Sequence, residues 1–326
     1  MQLGAITLAI LLLCTPLASV AQSPGGKVHR IGILGNVQPP LASDEVFRAG
    51  LRERGWVEGQ NILIVRRYSE GRNERFAGLA AELVQLNVDL LVTSGTPATA
   101  AAKQATTTIP VVFAFVGDPV ASGFVTSLAR PGGNLTGLGG SSSGGVHGKM
   151  VQLLKEALPQ ISGVAVFVNP SFSLHTTAYV PEVEAAARQL GVSLKQVAVR
   201  TPDDLDGAFA AITRDKLSAL VILGQPFMFV ARAKGAKLAL DHRVATMIWW
   251  REAAEAGVLM SYGDLNIDSI RRLPHYIDRV LRGTKPADLP VEQPTKFYLT
   301  INARTAKVLG LTIPQSLLLQ ADHVLE

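Results

Sequence analysis

Val111-Val112-Phe113-Ala114-Phe115-Val116-Gly117-Asp118-Pro119, continued by Arg130-Pro131-Gly132-Gly133-Asn134, decides how this chain is organised. The run after Pro110 is continuously apolar, as expected of a strand buried on both faces of a parallel sheet. It breaks off in Gly-Asp-Pro, and the pattern predicts a helix over Val120–Ala129 behind it. An acid at a strand's C-terminal end, with proline opening the next helix, is where open α/β sheets hold ligands. Arg130–Asn134 then reads as the turn that stops this helix. One series of β-α units precedes the stretch and a second follows it, which makes it a seam between two lobes.

Working outward, the first series alternates with little ambiguity. Strands are predicted at Val28–Leu34, Ile62–Tyr68, Val88–Thr93 and Pro110–Val116, with helices at Asp44–Arg54, Arg72–Leu86 and Ala98–Ala105 between them. In the second helix Phe76, Leu79, Ala80 and Leu83 recur at helical spacing. After Asn134 the alternation starts again. Strands are expected at Val164–Val168, Val192–Val199, Ala219–Leu223, Ala245–Trp250 and Val258–Gly263, and a last one at Lys296–Ile301. Helices end at Leu158, Leu190, Arg214, Leu240 and Leu281. Strands and helices alternating at this spacing mean βαβ units and parallel sheets. The expected fold class is α/β, two Rossmann-like lobes with parallel sheets joined by about three crossing strands. Residues 28–136 with 260–294 form the first lobe, and 137–259 with 295–326 the second.

Residues 1–21 stand apart. Leu3–Leu17 is almost wholly apolar and Ser19-Val20-Ala21 offers small residues at cleavage spacing, so this is read as a secretory signal peptide, too short for a comfortable membrane span. No Lys or Arg precedes the apolar run, which points to a start upstream of Met1. Cys14, the single cysteine, lies inside this segment without the small residue before it that a lipoprotein signal needs. A mature chain of about 300 residues without cysteine has no disulfides, zinc-thiolate sites or thiol nucleophiles, and its length argues for two ordinary domains. A hydrophobic content of 48% against 17% charged residues describes a well-cored globular protein. The net charge of +5 is scattered, as at Arg66-Arg67, Arg130 and Arg271-Arg272, and is not interleaved with aromatics. A nucleic-acid surface would cluster it on one face, so no nucleic-acid partner is expected.

The strand ends carry whatever chemistry the chain has. They read Gly35-Asn36, Ser94-Gly95-Thr96-Pro97, Gly117-Asp118-Pro119, Asn169-Pro170-Ser171, Arg200-Thr201-Pro202 and Gly224-Gln225-Pro226, five of them with proline where a helix begins. Proline costs nothing in the first helical turn, and the free N–H groups beside it attract a carboxylate or another acceptor-rich ligand. None of these loops has a dinucleotide or Walker-type glycine pattern. His29, His147, His175, His242, His275 and His323 have no metal-ligand spacing, and His175 reads as a solvated loop residue. Gly139-Gly140-Ser141 lacks the context of a nucleophile elbow. No catalytic residue, metal or cofactor is expected. The candidate ligand residues are Asn36, Thr96, Pro97 and Asp118 from the first lobe, Asn169, Ser171, Gln225 and Phe227 from the second, and Tyr262 at a crossing. Thr96 would offer its hydroxyl and the helix behind Pro97 its N–H groups to a carboxylate, and Asp118 would meet an amino group. Asn169 and Gln225 both donate and accept, and the rings of Phe227 and Tyr262 would stack.

The chain resembles the family of periplasmic substrate-binding proteins of ABC transporters that includes the tryptophan/tyrosine-type binders. The resemblance is carried by Gly55-Trp56-Val57-Glu58-Gly59-Gln60-Asn61, Thr106–Phe113, Gly117-Asp118-Pro119-Val120, Arg130–Gly137, Val168-Asn169-Pro170, Gly257–Gly263, Lys285–Val291 with Lys296-Phe297, Asn302–Lys307 and Leu309–Pro314. It covers essentially all of the mature chain. Asn36-Val37-Gln38-Pro39-Pro40 and Gln225 depart from the family pattern on the expected ligand wall. The resemblance implies a type I periplasmic-binding fold and a non-enzymatic, monomeric solute-binding protein of the periplasm. Such a protein closes by hinge motion on a small ligand, an amino acid or other small carboxylate, and presents it to an ABC permease in the inner membrane. The residues alone leave two alternatives open: a small-molecule hydrolase or transferase on a doubly wound fold, and a ligand-sensing module for a membrane receptor.

Overall fold

The computed structural model describes residues 27–38, 41–140, 145–224, 227–264 and 266–326. The first sheet takes its strands from the first series: β1 (His29–Gly35), α1 (Leu41–Arg52), β2 (Ile62–Tyr68), α2 (Phe76–Gln85), β3 (Leu90–Ser94), α3 (Thr96–Ala105), β4 (Val111–Val116) and β5 (Leu135–Gly139). Its order is β2-β1-β3-β4-β5, all parallel. β4 is apolar throughout because both faces are covered. Val111 and Phe113 pack with α2 and α3, while Val112 and Ala114 pack with α1 on the other side.

The second series gives α4 (Val146–Ala157), β6 (Gly163–Val168), α5 (Val180–Gln189), β7 (Ser193–Ala198), α6 (Leu205–Arg214), β8 (Ala219–Ile222), α7 (Met228–Asp241), β9 (Ala245–Ile248), α8 (Arg251–Glu255) and β10 (Met260–Gly263). There follow α9 (Asn266–Leu281), β11 (Tyr298–Asn302), α10 (Ala303–Leu309), α11 (Gln315–Leu318) and β12 (His323–Leu325). The second sheet runs β12-β11-β10-β9-β8-β6-β7, parallel except where β11 returns antiparallel to β10. The architecture is the expected α/β pair of parallel-dominated sheets.

The chain passes between the sheets after β5, after β10 and again near Glu292. The sheet boundaries fall a few residues from those expected. Gly137–Gly139 completes β5 in the first sheet, and Met260–Gly263 belongs to the second, hydrogen-bonded to β9 and β11. The return to the first lobe is made by α9, whose Leu273, Tyr276, Ile277 and Val280 bury against α1 and the sheet. The third crossing pairs with the first: Gly139 N–H donates to the Glu292 carbonyl at 2.8 Å, and Glu292 N–H to the Gly137 carbonyl at 3.2 Å. Arg272 on α9 grips the Glu292 carboxylate with Nε at 2.9 Å and Nη2 at 2.6 Å.

One expected element is absent. Val120–Ala129 forms turns and not a helix. Asp118 Oδ1 accepts from the N–H groups of Val120 (3.0 Å) and Ala121 (2.9 Å), which caps a single turn. Gly123 then adopts φ +69°, a left-handed conformation that ends it. The signal segment lies outside the described residues.

Candidate functional site: a cleft between the lobes

A cavity of about 800 Å³ opens between the C-terminal edges of the two sheets. On the first-lobe side it is lined by Asn36, Ser94, Gly95, Thr96, Pro97 and Phe115. Gly95 has φ +86°, so β3 turns sharply into α3, whose first turn carries Pro97 and faces the cavity. The first N–H groups of a helix have no intrahelical acceptor, and the helix dipole makes that end attractive to an anion. The side chains here are largely engaged in holding the loops. Asn36 Oδ1 accepts from Ser69 Oγ and the Gly71 N–H, each at 3.0 Å, and Thr96 Oγ1 accepts from the Gly117 N–H at 3.3 Å.

Phe115 reaches the cavity through a fault in β4. Phe113 pairs with Gly137 but Val116 pairs with Gly139, so three steps along β4 oppose two along β5. Such a bulge kinks a strand and re-aims a side chain, and it leaves Phe115 at φ +58°. A non-glycine residue there costs about 1–3 kcal/mol and persists only where its surroundings enforce it. Gly140, just past β5, makes room for it, since a Cβ there would sit 3.3 Å from the Phe115 backbone.

The second lobe supplies an aromatic wall. Phe229 stacks on Trp250 (4.5 Å, 26°), with Trp249 edge-on to Phe229 at 5.6 Å. Phe172 and Tyr179 continue the wall, and Tyr179 stacks on buried His147 at 4.2 Å. The charged side chains lining the cavity, Arg232, Glu252 and Glu255, all come from this lobe. Among the described residues no group of His, Cys, Asp and Glu is arranged to hold a metal ion.

His175 is not solvated. It is fully buried and joins two strand-end loops, accepting the Asn169 N–H at Nδ1 (2.9 Å) and bonding the Gly224 carbonyl through Nε2 (3.1 Å). Burial lowers its pKa to about 4. Glu182 neighbours this cluster. Burial opposes its charge, yet hydrogen bonds from His147 and the Gly148 N–H hold its carboxyl below the usual range.

Of the candidate residues, the structure brings Asn36, Thr96 and Pro97 to the cavity wall. Asp118 lies at the neighbouring strand end with Oδ1 engaged in its turn. Asn169 is buried, its Oδ1 accepting from the Ser171 N–H at 3.0 Å, and Ser171 itself is exposed. Phe227 is fully buried in the second-lobe core. Tyr262, on β10, has its ring 6.0 Å from that of Phe297, and burial raises its pKa. Gln225 lies outside the described residues. The residues that sequence reasoning passed over are Phe115, Phe172, Tyr179, Phe229, Trp249 and Trp250. One signal did mark them: two of the three tryptophans stand side by side at a strand end.

Two parallel-dominated α/β lobes, crossed three times by the chain and enclosing a cavity at their strand ends, define a type I periplasmic-binding architecture. The chain belongs to the family of ABC transporter substrate-binding proteins, which residues 40–325 match. It is 24% identical over 288 residues to the tyrosine-binding protein of Clostridioides difficile (strain R20291), covering 87% of this chain and 82% of that one. A conserved domain protein from Vibrio cholerae superposes with a TM-score of 0.84 at 27% identity, over 91% of this chain and all of that one. An ABC domain from Streptococcus pneumonia in complex with L-Trp superposes with a TM-score of 0.80 at 25% identity, over 91% and 99%. The family is one of substrate-binding proteins, not of enzymes. No helix among the described residues is long and apolar enough to cross a membrane.

Proposed function

We propose that this chain is the periplasmic solute-binding component of an ABC uptake system, a monomer that closes its lobes around an amino acid or other small carboxylate. The observation that carries the reading is the interlobe cavity, with an aromatic wall on one side and the start of α3 on the other. The helix start suits a carboxylate and the wall of Phe172, Tyr179, Phe229 and Trp249 suits a planar apolar body. Arg232, Glu252 and Glu255 give the second lobe groups of both signs for a dipolar ligand. The relatives described as binding tyrosine and L-Trp support an aromatic amino acid as the first candidate. Asn36, Thr96 and Pro97 would hold the ligand from the first lobe. An N-terminal signal peptide would bring the chain to the periplasm, where a permease of the inner membrane would take the ligand from it.

A thermal-shift screen of amino acids and other small acids on the mature chain tests this. Stabilisation follows RT ln(1 + [L]/Kd), so a true ligand at a hundred times its Kd adds about 2.7 kcal/mol. Calorimetric titration of each hit then gives stoichiometry, and one ligand per chain is expected. A screen in which none of these compounds raises the melting temperature would overturn the reading.

A further inference from the structure

Two of the second-lobe loops that face the cleft are tied together by a buried side chain outside the cavity lining. His175 opens the five-residue π-helical turn His175–Tyr179 that leads into α5. Its Nδ1 accepts from the Asn169 N–H at the end of β6, and its Nε2 meets the Gly224 carbonyl beyond β8. A backbone N–H can only donate and a carbonyl can only accept. The two bonds therefore fix one tautomer, with the proton on Nε2 and Nδ1 bare. The loops so joined bring Phe172 and Gly224 to the cavity, and Tyr179 follows at the far end of the π turn. Phe172 lies edge-on to the imidazole at 4.9 Å, and Tyr179 is tilted against it at 5.7 Å. Turns of this kind, with one residue more than an α turn, gather at functional sites.

We infer that His175 is a positioning residue for ligand binding: its neutral imidazole sets the spacing of the β6 and β8 loops and thereby fixes Phe172 and Tyr179 against the ligand. The inference rests on the cleft being the ligand site, as proposed above. The imidazole works only while neutral. An imidazolium donates from both nitrogens, so a proton on Nδ1 would confront the Asn169 N–H. The titratable groups facing the ring are His147 from α4 and Tyr179 from the π turn, with Glu182 of α5 behind His147. Among the described residues no carboxylate is bonded to the ring, and burial keeps it neutral down to about pH 4.

The test uses the whole mature chain and two variants. His175→Phe keeps a ring and removes both bonds, whereas His175→Gln retains one acceptor and one donor. Amide hydrogen exchange without ligand reads the loops directly. Asn169 is expected to lose at least tenfold protection in H175F and to regain part of it in H175Q, while β6 and β8 keep theirs. Titration with L-tyrosine and L-tryptophan from pH 8 to pH 3.5, across the range in which the buried ring takes up its proton, reads the consequence. The wild type should bind at least tenfold more tightly than H175F at neutral pH, and the gap should narrow with acid as only the wild type weakens. Equal exchange and equal affinity in wild type and H175F, or an acid limb that persists unchanged in H175F, would overturn the inference. If H175F unfolds throughout, H175Q carries the same comparison. Loosened loops in H175F, beside a wild type that binds neither amino acid, would sustain the spacing role and count against the ligand reading instead.

Discussion

Gly137 lies so close beneath Phe113 that a Cβ built on it would stand 2.0 Å from the Phe113 carbonyl oxygen and 2.7 Å from its nitrogen. The two residues are paired at the last regular register before the bulge of β4, and Gly137 holds φ +148°. Alanine has neither the room nor the conformation. Gly137→Ala should therefore cost at least about 4 kcal/mol, the range reserved for backbone clashes and enforced strain. Urea unfolding measures it. A loss under about 1 kcal/mol would mean that β4 and β5 separate at little cost and that Phe115 is not pinned.

Asp264 should make the protein less stable as the pH rises. It lies buried at the end of β10, where the chain crosses towards α9. Burial, with Glu252 and Asp268 nearby, raises its pKa from 3.8 to about 7. The folded state therefore holds a proton that the unfolded chain releases near pH 4. The stability Asp264 contributes is complete below pH 3.8 and is lost between about 4 and 7, roughly 4 kcal/mol by linkage. Asp264→Asn should remove this slope and raise the melting temperature most at pH 8. Parallel stability–pH curves for the two proteins would refute it.

His175 acts in the opposite sense. Its pKa falls from 6.5 unfolded to about 4 folded. The unfolded state thus binds more protons in that window, and stability declines as the pH drops from about 6.5 to 4. The loss is roughly 3 kcal/mol. Chemical denaturation of wild type and H175Q at several pH values separates this term, which should vanish in the variant.

Asp118→Ala should lower stability by about 1 kcal/mol, the usual value of a lost cap, because Oδ1 closes the turn before Gly123. Affinity for the identified ligand should stay within about threefold. A weakening beyond tenfold, or about 1.4 kcal/mol, would place the carboxylate on the ligand.

Intrinsic fluorescence should report ligand entry. Trp249 and Trp250 line the cleft. Trp56 sits on the first lobe, its Nε1 donating to Asp278 at 2.9 Å under the Arg282 guanidinium. Trp56→Phe should keep the ligand-induced change in emission and Trp249→Phe should reduce it. The reverse pattern would move the site away from the aromatic wall.

The alternation of strands and helices was readable because each strand buried on both faces must be apolar along its length, as β4, β6 and β8 are. The helix that became α9 was likewise visible as a late helix following the second series. The cleft was readable only where a polar or proline residue marked a strand end, which found Asn36, Thr96 and Pro97. The aromatic wall was hidden because an aromatic at a helix start looks the same whether it faces core or cavity. Phe227 and Phe229 are two positions apart on a helical backbone, so they point to nearly opposite sides, the first into the core and the second into the cleft. Phe115 depended on glycines of another strand, and His175 on a carbonyl 49 residues away. No local pattern contains such partners.

The route of the chain has a consequence for its synthesis. The first-lobe core needs Leu273, Tyr276, Ile277 and Val280 of α9, and the second sheet needs β11 and β12 from beyond Tyr298. A nascent chain therefore holds no complete lobe until its last third has been made. Closing both cores demands contacts between segments far apart in sequence, which slows folding. A fragment cut after β10 would leave apolar faces of α1 and β10 uncovered. A polypeptide built this way stays unfolded longest while it is still emerging, the condition in which a chain can be threaded through a narrow pore.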